Sequence, residues 1–213
     1  MKFSANLGFL WRELPLVDAI KAAKQAGFDA VECHWPYETP AAEVADALEQ
    51  AGLPMLGLNT ARGDAAAGEF GLAAIPGRTD EARATVDEAI AYAAAVGAKN
   101  VHVMAGNAVG RMARDTFVDT LRYATEQAQP HGICILIEPL NTTDAPDYFL
   151  STTDQARLII ESVGAPNLKL MFDFYHVQIM EGNITQRLET LLPLIGHIQF
   201  AAVPGRGEPS TGE

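Results

Sequence analysis

Apolar positions along the chain fall into two alternating patterns. Some stretches carry apolar residues at helical spacing, such as Val86, Ile90 and Ala93, or Phe117, Leu121 and Ala124, and these predict amphipathic helices. Between them lie short, nearly continuous apolar runs, as expected of strands buried on both faces. A glycine usually separates the two. The first unit is a helix over 15–26, then Gly27, then a strand over 28–33. The second is a helix over 39–51, Gly52 and a strand over 53–59, and the third a helix over 79–96, Gly97 and a strand over 100–104. Further strands are predicted over 133–138, 168–173 and 197–201, behind Gly132, Gly164 and Gly196. Glycine suits that place because it tolerates the left-handed conformation that ends a helix. Thr39 with Pro40, and Ser151 ahead of Asp154, read as helix starts.

An N-terminal strand over 2–7 brings the pattern to seven strands alternating with six helices. Strict alternation implies right-handed crossovers and a parallel sheet. Gly8 stands alone after the first strand, so the glycine-rich phosphate fingerprint of an open dinucleotide-binding sheet is missing. The expectation is an α/β fold, a TIM (β/α)8 barrel lacking its final β/α unit, in one C-terminally incomplete domain over 1–213. The irregular stretch 60–78 follows a strand and reads as a surface loop or a lid.

Charge narrows the choice of partner. The 213 residues carry a net charge of −12, spread along the chain rather than gathered in blocks. Nucleic-acid binders concentrate Lys and Arg, so nucleic acid is not an expected partner. Nor is a membrane, because no apolar run is long enough to span one and the N-terminus lacks a signal-peptide core. Cys33 and Cys134 read as buried thiols of a cytoplasmic protein. A homo-oligomer is compatible with everything above.

In a parallel barrel the active site lies at the C-terminal ends of the strands. The residues there are Asn6, Glu32 with His34, Asn59, His102, Glu138, Asp173 and Gln199. Polar groups beside buried strands cost free energy unless they are paired or bind something. Glu138, Asp173 and Gln199 close three consecutive strands and all offer oxygen, which suits a hard divalent cation such as Mg2+ or Mn2+. His176, three residues past Asp173, and His102 are candidate substrate contacts, although His102 reads equally as a satisfied core histidine. Arg206 follows the last strand and could clamp a carboxylate. His131 and His197 precede their strands, which assigns them structural roles on the opposite rim.

At these positions the chain resembles the hydroxypyruvate isomerase family, within the xylose-isomerase-like TIM barrels. The stretches that carry the resemblance are 3–7, 65–69, 102–106, Ile137-Glu138-Pro139-Leu140-Asn141, the run from Asp173 to Gly182, and Val203-Pro204-Gly205-Arg206. The resemblance implies that Glu138, Asp173 and Gln199 hold the metal and that Glu138 also serves as acid and base. It implies substrate-facing roles for His176 and Arg206. In the family an eighth strand carries a second glutamate; that strand is expected to be missing here, and Glu213 stands too near the seventh strand to replace it.

The implied reaction interconverts hydroxypyruvate and tartronate semialdehyde through a metal-stabilised enediol(ate), so the partner is a small hydroxy-keto acid. A 2-oxo-tetronate isomerase or a ketose 3-epimerase would share the chemistry. A metal-dependent endonuclease on the same barrel would need a basic surface. A non-catalytic small-molecule-binding protein is the alternative of another class.

Overall fold

The computed structural model describes residues 1–212, so the expectation for Glu213 lies outside it. Seven strands run β1 (Ser4–Asn6), β2 (Ala30–Glu32), β3 (Gly57–Asn59), β4 (Asn100–His102), β5 (Cys134–Ile137), β6 (Leu168–Asp173) and β7 (Ile195–Gln199). The helices between them are α1 (Leu16–Gln25), α2 (Ala41–Ala51), α3 (Thr79–Val96), α4 (Gly110–Ala128), α5 (Thr153–Val163), α6 (Phe174–Met180) and α7 (Ile184–Leu191). β1 pairs with β2, and β3 to β7 pair in sequence order, all parallel. Backbone hydrogen bonds along β2 and β3 join the sets: Val31 N donates to Pro54 O at 3.0 Å, Leu56 N to Val31 O at 2.7 Å, Cys33 N to Gly57 O at 3.1 Å and Asn59 N to His34 O at 2.8 Å. The result is an α/β barrel that does not close among the described residues.

Burial follows the predicted periodicity. Ala5, Val31, Leu58, Val101, Ile135 and Phe172 on the strands are inaccessible or nearly so, and they share one core with Ile20, Val86, Phe117, Leu121 and Ile159 on the helices. Burying each of the larger of these side chains stabilises the fold by about 1.5–3 kcal/mol. Gly97 ends α3 with φ of 70°, as its position predicts.

Gly196 behaves differently. It lies inside β7, where a Cβ would come within 2.6 Å of Lys169 Cβ and 2.9 Å of Leu136 Cδ2. Close packing, not a turn, requires glycine there. β7 therefore starts at Ile195, and His197 falls inside the strand. The helical segment between β6 and β7 is also two helices rather than one. Pro40 precedes α2 with no side-chain cap, and Thr152 rather than Ser151 caps α5, accepting from Gln155 N.

Two features set up the site. α6 begins directly from the end of β6, with Asp173 as its N-cap accepting from Tyr175 N at 2.9 Å. The stretch after β3 is pinned: Asp64 caps a 3-10 turn, Glu69 pairs with Arg78, and Gly71 bridges to Ala105. Phe70 is thereby set over the strand ends.

Candidate active site

The strand ends open into one cavity of about 120 Å3, lined by Glu32, His34, Phe70, His102, Glu138, His176, Gln199 and Arg206 among others. Glu138 follows β5, Asp173 ends β6, and His176 sits on the first turn of α6. All three are buried, and one ligand atom from each lies within 4.8 Å of the others. His176 Nε2 is 3.6 Å from Asp173 Oδ2 and 3.9 Å from Glu138 Oε1.

Electrostatics within this group are strained by burial. Desolvation pushes the Glu138 carboxyl well above its ordinary range, and the charge of Asp173 pushes it further. Burial raises Asp173 as well, while the Arg206 guanidinium pulls it back down. Two carboxylates buried side by side are costly unless a cation joins them. Among the described residues Arg206 supplies part of that charge: its Nη2 lies 3.2 Å from Asp173 Oδ2, and its guanidinium stacks 4.5 Å from the centre of the Phe9 ring and 4.7 Å from that of Tyr175.

Burial favours the neutral form of three imidazoles. Burial takes His102 and His176 down to about 3 and His34 to about 4. The backbone N–H of Asn141 donates to His176 Nδ1 at 3.0 Å. Arg206 Nη2, which like a backbone amide can only donate, lies 3.2 Å from Nε2, so both ring nitrogens face donors.

Gln199 pairs in register with Asp173. Its Nε2 donates to Glu32 Oε1 at 2.9 Å, which turns the amide oxygen away from Glu32. The donor set of Glu138, Asp173 and the Gln199 amide oxygen fits a hard divalent cation.

Every candidate from the sequence lies on this cavity or in its carboxylate group. His197 does not occupy the opposite rim. As the third residue of β7 it points inward, and its Nε2 donates to Glu32 Oε2 at 2.6 Å. The misplacement came from reading Gly196 as a helix terminator. Sequence reasoning gave no role to Asn141 or Phe70, and left Glu32 and Asn59 as unassigned strand ends. Asn141 was visible only as part of the run after β5. Phe70 lies in the irregular stretch, where periodicity carries no information.

Comparisons with known proteins agree with this architecture. The family described as "Xylose isomerase-like TIM barrel" matches residues 20–212. A 2-oxo-tetronate isomerase of Cupriavidus necator is 44% identical over 216 residues, covering 100% of this chain and 83% of that protein. A hydroxypyruvate isomerase of Escherichia coli is 40% identical, covering 100% of this chain and 84% of its own length. A solved structure described as an AP endonuclease, family 2, from Brucella melitensis superimposes with a TM-score of 0.96 at 40% identity, over 100% of this chain and 83% of that one.

Proposed function

Because the chain belongs to the xylose isomerase-like TIM barrel family, we propose that it is a sugar-acid isomerase acting on hydroxypyruvate. The observation that carries this reading is the buried group of Glu138, Asp173 and His176 in a cavity of about 120 Å3. Ligand pockets for larger molecules typically enclose roughly 300–1,000 Å3. A three-carbon acid suits this cavity better than a hexulose does.

In the proposed reaction Glu138 removes a proton from C3 of hydroxypyruvate and returns it to C2. The hydroxyl proton leaves O3 and one arrives at O2, giving tartronate semialdehyde through an enediol. A buried carboxyl with a raised pKa suits both halves of that transfer, and positioned acid/base catalysis contributes roughly 10²–10⁴-fold. A divalent cation, Mg2+ or Mn2+, held by Glu138, Asp173 and Gln199 would supply electrostatic stabilisation of the charge that develops on the substrate oxygens. His176 and the Arg206 guanidinium would orient the substrate oxygens from above the strand ends. Phe70 and Trp35 would exclude water.

A second reading, isomerisation of a 2-oxo-tetronate, is favoured by the 44% identity to the C. necator protein. It uses the same residues and one more carbon. Nuclease activity fits less well, because the net charge is −12.

The test is turnover of hydroxypyruvate and of a 2-oxo-tetronate by purified protein with Mg2+ or Mn2+, beside Glu138→Gln. We expect turnover in the wild type and its loss in a folded Glu138→Gln. Near-wild-type activity in that variant would remove Glu138 from the role.

A further inference from the structure

A second cavity, of about 410 Å3, lies beside the first, between the loops that follow β1 and β2 and the stretch that follows β3. The two cavities share Cys33, His34 and Trp35 as a common wall. Arg12 and Arg62 both line the second one, from separate loops. Arg78, Arg157, Arg187 and Arg206 each pair with a carboxylate. Among the described residues neither Arg12 nor Arg62 has such a partner, although the chain carries a net charge of −12. Glu38 lines the same cavity without pairing to either guanidinium.

Arg62 is held in place. Its guanidinium lies 4.1 Å from the centre of the Trp35 ring, Trp35 Nε1 donates to Thr60 O at 3.1 Å, and the Arg62 carbonyl accepts from Gly71 N at 2.9 Å. A guanidinium stacked on an indole still presents its N–H edge to an acceptor. Arg12 follows Trp11, whose φ of 54° is a left-handed conformation that bulky residues seldom adopt. Such strain persists where the surroundings impose it, and it gathers at ligand sites. Here the Trp11 ring packs edge-on against Phe28 at 6.1 Å. The charges of Arg12 and Arg62, with that of Arg206, all act on His34 in the shared wall. We propose that this cavity is a second binding site, in which Arg12 and Arg62 together hold the carboxylate or phosphate group of a small organic acid. Guanidinium forks match both groups bidentately. The space falls within the roughly 300–1,000 Å3 typical of ligand pockets, so it has room for more than the acid group. Binding there requires no step of the isomerase reaction.

The chain's two tryptophans, Trp11 and Trp35, both line this cavity, so intrinsic fluorescence reports its occupancy. The experiment is titration with inorganic phosphate and with malonate, with potassium chloride at matched ionic strength as the control. At least one of the two ions should give a saturable change that chloride does not, and the tighter binder names the acid group. Arg12→Gln and Arg62→Gln should each weaken it by about tenfold or more, the value of a lost charge-assisted hydrogen bond. Arg12 is exposed, so its variant should fold, and circular dichroism checks both. Glu38→Gln should tighten binding by removing a like charge. Trp35 also lines the first cavity, and Arg206→Met separates the two: binding should persist in that variant. No saturable binding of either ion overturns the proposal. So does binding that is unchanged in both Arg12→Gln and Arg62→Gln, or that is lost in Arg206→Met and kept in those two.

Discussion

The Arg206 guanidinium stands 3.2 Å from Asp173 Oδ2, inside the same group of donors that would hold a cation. It neutralises a buried acid pair that is otherwise under-compensated. Arg206→Met should therefore do two opposite things. The metal-free protein should lose about 1–3 kcal/mol, because buried carboxylates lose their partner. Mn2+ should bind about tenfold more tightly, equal to about 1.4 kcal/mol, because a competing charge is gone. Thermal unfolding and Mn2+ titration read the two effects separately. An affinity that is unchanged or weaker would show that Arg206 does not compete for Asp173.

Glu32 ties β7 to β2 by accepting from His197 at 2.6 Å and from Gln199 at 2.9 Å. Groups that orient a ligand from behind typically alter metal affinity by roughly 10–100-fold when changed. Glu32→Ala should release the Gln199 amide and weaken Mn2+ binding within that range. It should also cost about 1 kcal/mol, since two half-buried donors lose their acceptor. Calorimetric titration with Mn2+ is the measurement, and retention of wild-type affinity would separate Gln199 orientation from cation binding.

Acid should weaken the fold through the imidazoles. His34 is held down to about 4 by burial, whereas an ordinary histidine titrates near 6.5. Between those values the unfolded chain binds more protons than the folded one. The stability this group contributes is thus full above pH 6.5 and is lost as pH falls toward 4, by up to about 1.4 kcal/mol per pH unit. Glu138 and Asp173, raised by burial, run the opposite way. The difference between wild type and His34→Gln isolates the histidine. Urea unfolding should show that difference constant near pH 7 and shifting in favour of the variant by about 3 kcal/mol at pH 4. A flat difference would mean that His34 can ionise in place.

Much of this site was legible before the structure, and the reason is topological. In a parallel barrel every strand delivers its last residue to one rim, so Glu138, Asp173, Gln199 and His102 could be found by ending each apolar run correctly. β6 ends where its pattern ends, and β5 one residue earlier, at Ile137. β7 did not begin where its glycine suggested, because Gly196 is small for packing against Lys169 and Leu136 rather than for turning the chain. That one misreading put His197 on the wrong rim. The partners of His102 and His176 were beyond reach for another reason: they include Asn59 and the backbone N–H of Asn141, and no side-chain pattern reports either contact.

Phe70 stands where it would limit the size of a ligand in the cavity. Its ring packs edge-on against Trp35 at 6.3 Å and Tyr148 at 6.0 Å, and it lines the cavity from the pinned stretch after β3. That stretch is held by the Glu69–Arg78 ion pair and the Gly71–Ala105 bridge, so its collapse into a vacated space is opposed. Phe70→Ala should accordingly leave a larger cavity at a stability cost of about 1–3 kcal/mol, below the value for a fully buried ring because Phe70 is only partly buried. The kcat/KM for hydroxypyruvate should fall about tenfold as positioning loosens. Activity on a six-carbon ketose should rise from background, because the wall that excludes it has been removed. Parallel assays of the two substrates give the ratio directly. If the ratio stays at the wild-type value while the protein remains folded, the ring limits access to solvent but not the size of the substrate.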